Sequence, residues 1–516
     1  MVRPQLPTVN QFFPPKSANG HLNLVSARQQ CLSLLKDCSS PKQLSQIHAR
    51  IQIFGLHREG HVVSELVRFC ALSPSGNLSY ARHILCHSDD GSVPFSWNCL
   101  IRGYAANDSP REAILVYLAM RSRGTRPNHY TFPFLLKACA QISALQEGRQ
   151  VQVDAVKHGL DSVVYVQNTL LHFYGSCKKI LDALQMFDEI SCRTLVSWNA
   201  IITACVENLW LYEAIEIFIK MRKCGFDPDE TTMVVLLSAC AELGNLTFGR
   251  WVHSQVIESG MTVNCQLGTA LVDMYAKCGA ARSASLVFNG MRERNVWTWS
   301  AMILGLAQHG FSTEALELFS KMMKSSVSPN YVTFLGVLCA CSHAGLVDDG
   351  YQFFHVMKSV HKIRPMMVHY GAMVDILGRA GRFKEAYTFI MNMPIEPDSI
   401  VWRTLLSACS IHNNVNDRVG VEEKVRKRLL ELEPRRGENF VMVANLYAEV
   451  GMWEKAANVR KIMRDGGLKK MAGESCIEVG GFICRFFSGN DSQVGCESVY
   501  QLLDGLNFHM KTACCL

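Results

Sequence analysis

Four kinds of residue recur along this chain at a spacing of 101, and that spacing limits the fold more than any other feature. Trp97, Trp198 and Trp299 are 101 apart, each followed by Asn or Ser. Cys38, Cys139, Cys240 and Cys341 share the interval, in the contexts LLKDC, LLKAC, LLSAC and VLCAC. Glu112, Glu213 and Glu314 repeat with it, as do Pro127, Pro228 and Pro329, which precede Asn128, Asp229 and Asn330. Self-similarity at fixed period marks a repeat architecture, in which each unit stacks only on its neighbours.

The period divides further. The anchor opening the second helix of each module falls at Glu112, Glu147, Asp182, Glu213, Phe248, Ser283, Glu314 and Asp349, with gaps of 35, 35, 31, 35, 35, 31 and 35. Each module reads as two short amphipathic helices. In 195–229, WNAIITACVEN and LYEAIEIFIKM carry apolar residues at helical spacing, and Gly225 and Pro228 close the unit. Neither helix can bury its stripe alone, whereas stacked neighbours bury it continuously. The expected fold is all-α: a right-handed α-solenoid superhelix of helix-turn-helix repeats. A small β-hairpin is expected near the C-terminus, turning at Gly480-Gly481.

Composition narrows the function classes. Hydrophobic residues make up 48% of the 516, enough for a continuous core, and charged residues 19%. The longest weakly polar stretch, 332–347, is interrupted by Thr333, Ser342 and His343 and falls short of the ~20 apolar residues of a spanning helix. The 21 cysteines are odd in number and none form Cys-x-x-Cys, which argues against a disulfide framework and against zinc spacings. Those at period 101 read as small core residues, and Trp97, Trp198, Trp299 and Trp402 as packing between helices. The net charge is +7, of which residues 1–60 hold +5 and the remaining 456 only +2. Any nucleic-acid binding by the body must therefore rely on placed contacts more than on counterion release. Lys424, Arg426, Lys427, Arg428, Arg435 and Arg436 read as a solvated helix face, with phosphate contact as the alternative.

With its Gly-x-x-Pro-Asn/Asp closures, Ser-Trp-Asn openings and 35/35/31 cycle, the chain resembles the plant pentatricopeptide repeat (PPR) proteins, specifically the PLS subfamily. Read that way, residues 28–93 hold irregular first L and S repeats. Residues 94–398 carry P, L and S cycles, ending in a variant module with HYGAMVDILGRAG at 369–381. Residues 399–468 resemble the family's E extension of degenerate helical repeats, and 469–490 its E+ type hairpin. There Gly473-Glu474-Ser475-Cys476-Ile477-Glu478-Val479 matches the boundary motif with Ala472 and Cys476 in place of Pro and Trp. Residues 491–516 form a divergent tail. The acid-free segment 1–27 is expected to be an organellar transit peptide, mitochondrial with chloroplast as the alternative.

The resemblance implies single-stranded RNA recognition by the fifth and last residues of P and S modules, one base per module. By position the pairs are Asn98/Asn128, Asn168/Thr194, Asn199/Asp229, Thr269/Asn295 and Ser300/Asn330. Short amide, hydroxyl and carboxylate groups suit base edges, although the same residue types also serve as helix N-caps and turns. Pro133, Val234 and Leu335 at the fifth position of L modules, and Gly371 paired with Asp398, offer no comparable contact. The family's DYW deaminase needs His-x-Glu with a downstream Cys-x-x-Cys. Only His57-Arg58-Glu59 fits the first half, so no catalytic residue, metal or cofactor is expected. The implied role is a site-recognition factor for organellar C-to-U editing, recruiting a DYW-type deaminase through the E extension. Splicing, stability or translation are alternative outputs. A tetratricopeptide-type protein scaffold is a rival class that the 35/35/31 cycle disfavours.

Overall fold

The computed structural model describes residues 20–87, 93–107, 109–411, 418–470, 472–479, 482–487 and 505. Most of the expected leader, most of the tail after 490 and the hairpin turn at Gly480-Gly481 lie outside them. Among the described residues are 26 α-helices, arranged in two compact units, 1–228 and 229–516. The first helix, Gly20–Lys36, begins inside the segment 1–27 expected to be a leader.

In the N-terminal unit, the first helices Pro94–Ala106, Thr131–Gln141, Val164–Ser176 and Leu195–Glu207 pack side by side. The second helices Pro110–Ser122, Leu145–Lys157, Ile180–Glu189 and Leu211–Lys223 lie against their own partners. The C-terminal unit repeats this with first helices Glu230–Leu243, Cys265–Lys277, Val296–Gln308, Tyr331–Ala344, Met367–Arg379 and Ser399–Ile411. Small residues set how closely they approach. A Cβ on Gly305 would lie 2.3 Å from the Ala276 Cβ, and one on Gly336 2.9 Å from the Leu304 backbone nitrogen. The seams are filled by fully buried Phe132, Phe173, Phe218, Phe334 and Phe383, each worth about 1.5–3 kcal/mol of burial.

The 31-residue modules are short because their second helices lose a turn. Ile180–Glu189 and Ala281–Gly290 have 10 residues, against 13 in Pro110–Ser122 or Ser312–Lys324. The capping also changes. After the 13-residue helix Leu211–Lys223, Gly225 adopts φ 84°, a left-handed conformation glycine takes without strain. The short helices end in extended Ile190 and Met291, and an arginine meets the last carbonyls. Arg193 donates to Phe187 O and Asp188 O, both at 3.2 Å, and Arg294 to Phe288 O at 2.7 Å and Asn289 O at 2.9 Å. Each guanidinium also lies over the Phe ring whose carbonyl it binds, 4.7 and 4.8 Å from the centroid.

Trp97, Trp198 and Trp402 are buried and Trp299 half-buried against Phe288. Cys139, Cys240 and Cys341 are buried, whereas Cys38 is only partly so. One expectation is corrected: Arg426 is not on a solvated face. It is buried, with its guanidinium 4.1 Å from the Tyr447 ring centroid, because Tyr447 supplies an aromatic face where a surface arginine would meet water. Near the C-terminus, strand Glu474–Val479 pairs antiparallel with Phe482–Phe487, bringing Val479 opposite Phe482.

Candidate nucleic-acid interface

The last residue of a module turns the chain into the next module's first helix, and its side-chain oxygen binds backbone N–H groups there. Asn295 and Asn330 accept from Thr298 N–H at 3.0 Å and Thr333 N–H at 2.9 Å. Asp229 accepts from Thr232 N–H at 2.8 Å, and Thr194 from Ser197 N–H at 3.3 Å. Asn128 accepts from Tyr130 N–H at 3.0 Å and Thr131 N–H at 3.3 Å. The capping chemistry of these residues is thus real, and it orients them. A backbone N–H can only donate, so the amide atom facing it is Oδ1 and Nδ2 points away. Asp229 differs in being an acceptor only, with no N–H to offer.

Fifth residues meet last residues across the boundary where the chain doubles back. In the N-terminal unit, Asn98 Nδ2 donates to Asn128 Oδ1 at 2.9 Å. In the C-terminal unit, Ser300 Oγ donates to Asn330 Oδ1 at 3.0 Å. Asn98 and Ser300 are buried, while Asn168, Asn199 and Thr269 are half-buried. Two polar atoms of this set are buried without a hydrogen-bond partner among the described residues: Asn330 Nδ2 and Asn168 Oδ1. Leaving such atoms unmade costs about 1–3 kcal/mol each, so they call for a partner.

The sequence reading missed a second group. The second residue of many modules is an exposed apolar or aromatic side chain, one helical turn before the fifth residue and on the same face. In the N-terminal unit these are Phe95 (45% exposed), Tyr130, Tyr165 and Val196 (62%). In the C-terminal unit they are Trp297 (49%), Val368 and Ile400. The sequence signal was an apolar residue out of phase with the core stripe, invisible without knowing which face is covered. The aromatic members, Phe95, Tyr130, Tyr165 and Trp297, set flat faces beside polar groups, which is what a stacked base needs.

The third residue of the module was also missed. Thr131, Ser197, Thr232, Thr298 and Thr333 are all essentially inaccessible, and their hydroxyls bind the preceding N-cap. His369 holds that place in the variant module. Met366 N–H donates to its Nδ1 at 3.0 Å, so Nε2–H donates to Tyr331 O at 2.8 Å. Burial lowers its pKa, against the opposing pull of those backbone bonds, in keeping with this neutral form.

Among the L modules, Pro133 is buried, and Val234 and Leu335 half-buried. Nothing lies within 4 Å of a Cβ placed on Gly371, and Asp398 caps Val401 N–H at 3.0 Å. His57 sits in a short 3-10 helix, Leu56–Arg58. Among the described residues no group of three His, Cys, Asp or Glu could hold a metal, and no helix is long and apolar enough to cross a membrane.

Comparison with known proteins follows the same modules. The model of the PPR repeat family matches residues 94–141, 193–242 and 294–343, and that of the PPR repeat matches 168–194, 269–296, 332–360 and 368–395. An E motif model matches 415–478. The chain is 59% identical over 486 residues to a pentatricopeptide repeat-containing protein of Arabidopsis thaliana, covering 94% of this chain and 96% of that protein. A second from the same plant, named chloroplastic/mitochondrial, is 36% identical over 519 residues, covering 98% and 81%. The crystal structure of the maize pentatricopeptide repeat protein PPR10 is similar with a TM-score of 0.48 at 16% identity, covering 86% of this chain and 80% of that one.

Proposed function

The chain belongs to the pentatricopeptide repeat family, and on that premise we propose that it binds single-stranded organellar RNA by sequence and marks sites for C-to-U editing. The observation that carries the reading is the boundary pair: a fixed polar edge at the last residue, flanked by an exposed apolar side chain, repeated module after module.

The fixed orientations give the pairs a chemical meaning. Asn295 and Asn330 present N–H donors, which match the unprotonated ring nitrogen of adenine or cytosine. Asp229 is a carboxylate where those boundaries have an amide, and an acceptor suits the ring N–H of uracil or guanine. With the family's pairing habits, Ser300/Asn330 and Thr269/Asn295 read A, and Asn199/Asp229 reads U. Asn168/Thr194 and Asn98/Asn128 each read a pyrimidine. Placing Gly371/Asp398 at the fourth base before the edited C gives 5′-YnYUnAAnnnnnC, with Y a pyrimidine and n unspecified. Phe95, Tyr165 and Trp297 flank these bases by stacking, and Val196 packs its apolar surface against one. Catalysis comes from a deaminase on another chain, docked on the E extension.

The test replaces one pair. Ser300→Asn with Asn330→Asp converts the boundary to the Asn199/Asp229 type and shifts preference at the sixth base before C from A to U. Gel shifts with oligonucleotides differing only there read the outcome. Unchanged relative affinities would show that the pair does not face a base.

A further inference from the structure

Readout at one boundary depends on a residue that faces no base. We infer that Thr333, the third residue of the following module, is a positioning residue for base selection by Ser300 and Asn330. This rests on the reading that the pair faces a base.

Thr333 is 0% exposed, and its hydroxyl is engaged by protein partners. Its hydroxyl lies 2.7 Å from Ser300 Oγ and 3.0 Å from Asn330 Oδ1, and accepts Asn330 N–H at 3.1 Å. Among the described residues it is the side chain bonded to both members of the pair. Asn330 Oδ1 receives Thr333 N–H and lies 3.0 Å from both the Thr333 and the Ser300 hydroxyls, which share one proton each among their contacts, so the amide cannot turn over without placing N–H against the backbone donor. The remaining group is Nδ2, the buried atom without a partner. Ser300 Oγ has its one proton to share among Val296 O at 2.7 Å, Asn330 Oδ1 at 3.0 Å and Thr333 Oγ1 at 2.7 Å. The hydroxyl proton is held inward, away from a base.

The pair therefore offers a donor at Asn330 and no donor at Ser300. Adenine carries a ring-nitrogen acceptor beside an exocyclic N–H, which suits this, whereas guanine carries the reverse. Turning the amide would favour guanine. Thr333 opposes the turn twice, through its backbone N–H at 2.9 Å and through its hydroxyl at 3.0 Å, and the hydroxyl is the part a side-chain substitution removes.

The same contact recurs at other boundaries. Thr298 Oγ1 lies 2.6 Å from Thr269 Oγ1 and 3.0 Å from Asn295 Oδ1. In the N-terminal unit, Thr131 Oγ1 donates to Asn98 Oδ1 at 2.8 Å, and Ser96 Oγ lies 2.8 Å from Ser64 Oγ. A capping hydroxyl alone would need to reach only its own N-cap. Here it also reaches the fifth residue of the module before.

Full-length protein, Thr333→Val and Thr333→Ser are compared in gel shifts with RNAs differing only at the sixth base before C, A against G. Valine keeps the branched shape and removes the hydroxyl, and serine restores the hydroxyl without the methyl. Thr333→Val lowers the A-to-G affinity ratio about five-fold, the worth of roughly one hydrogen bond. Thr333→Ser returns the ratio to within about two-fold, on the same reckoning. The U-to-C ratio at the ninth base, set by Asp229, stays constant in all three. Thr298→Val is the second variant and moves selectivity at the seventh base alone. A uniform loss of affinity with an unchanged A-to-G ratio would make the hydroxyl merely structural and overturn the inference. If the unaltered protein does not discriminate A from G, the base-reading proposal falls as well. If it discriminates and Thr333→Val does so equally, only the present inference falls.

Discussion

Replacing Glu433 with glutamine removes one charge from a closed network in the C-terminal unit while keeping its shape. Glu433 accepts from Ser399 Oγ at 2.9 Å, Arg403 Nη2 at 2.6 Å and Asn439 Nδ2 at 2.7 Å, and Arg436 Nη1 approaches to 3.4 Å. Burial pushes its pKa up, but the bonds from Asn439, Ser399 and Arg403, with the charge of Arg403, outweigh burial and hold it at about 2 instead of 4.5. That displacement corresponds to at most about 3 kcal/mol of stability at neutral pH. The side chain is 24% exposed, so solvent screening reduces the expected loss to about 2 kcal/mol. A glutamine NH2 must also point at one of several donors, which prevents relaxation into an equivalent network. Because the folded pKa is depressed, the stabilisation is complete above pH 4.5 and disappears as pH falls through about 2. The gap between unaltered protein and Glu433→Gln should be constant from pH 7 to 5, shrink below 4.5 and close near 2. Repeat proteins can unfold in parts, so the measurement is urea-dependent hydrogen exchange read on residues 399–449. A gap under about 0.5 kcal/mol at pH 7, or one independent of pH, would show that the Glu433 charge does not stabilise this unit. Arg403 and Asn439 occupy the fifth and third places of successive helical pairs here, 3.2 Å apart, and Arg403 also pairs with Glu433 at 2.6 Å, so an ion pair stands where Ser300 and Thr333 meet through hydroxyls.

Further outcomes follow from other features. Arg294→Met strips the last carbonyls of a short helix of two charged hydrogen bonds and should cost about 1–2 kcal/mol by urea denaturation, with Arg294→Lys recovering little. Burial pushes the thiols of Cys139, Cys205 and Cys341 up to about 12, so iodoacetamide at pH 8 should label exposed Cys192 and Cys224 in the native protein and leave those three unlabelled by mass spectrometry. Residues 1–60 fused to a fluorescent protein should direct it into mitochondria or plastids, and a diffuse cytosolic or secretory signal would remove the organellar assignment.

The period of 101 was enough to establish modules, their two helices and their 35/35/31 lengths, because a stripe at helical spacing can be buried in few ways. It also picked out Asn98, Asn128, Ser300 and Asn330, polar residues recurring at one place in an apolar frame. What it could not show was which residues meet across a boundary. Asn98 and Thr131 are 33 residues apart, as are Ser300 and Thr333, and only helix-on-helix packing brings each pair together. Burial of Ser300, exposure of Phe95 and Trp297, and the stacking of Arg426 on Tyr447 likewise depend on which helix face a neighbour covers. Periodicity gives the angle of a residue around its own helix. The partner that fills that angle comes from another module, and only tertiary structure supplies it.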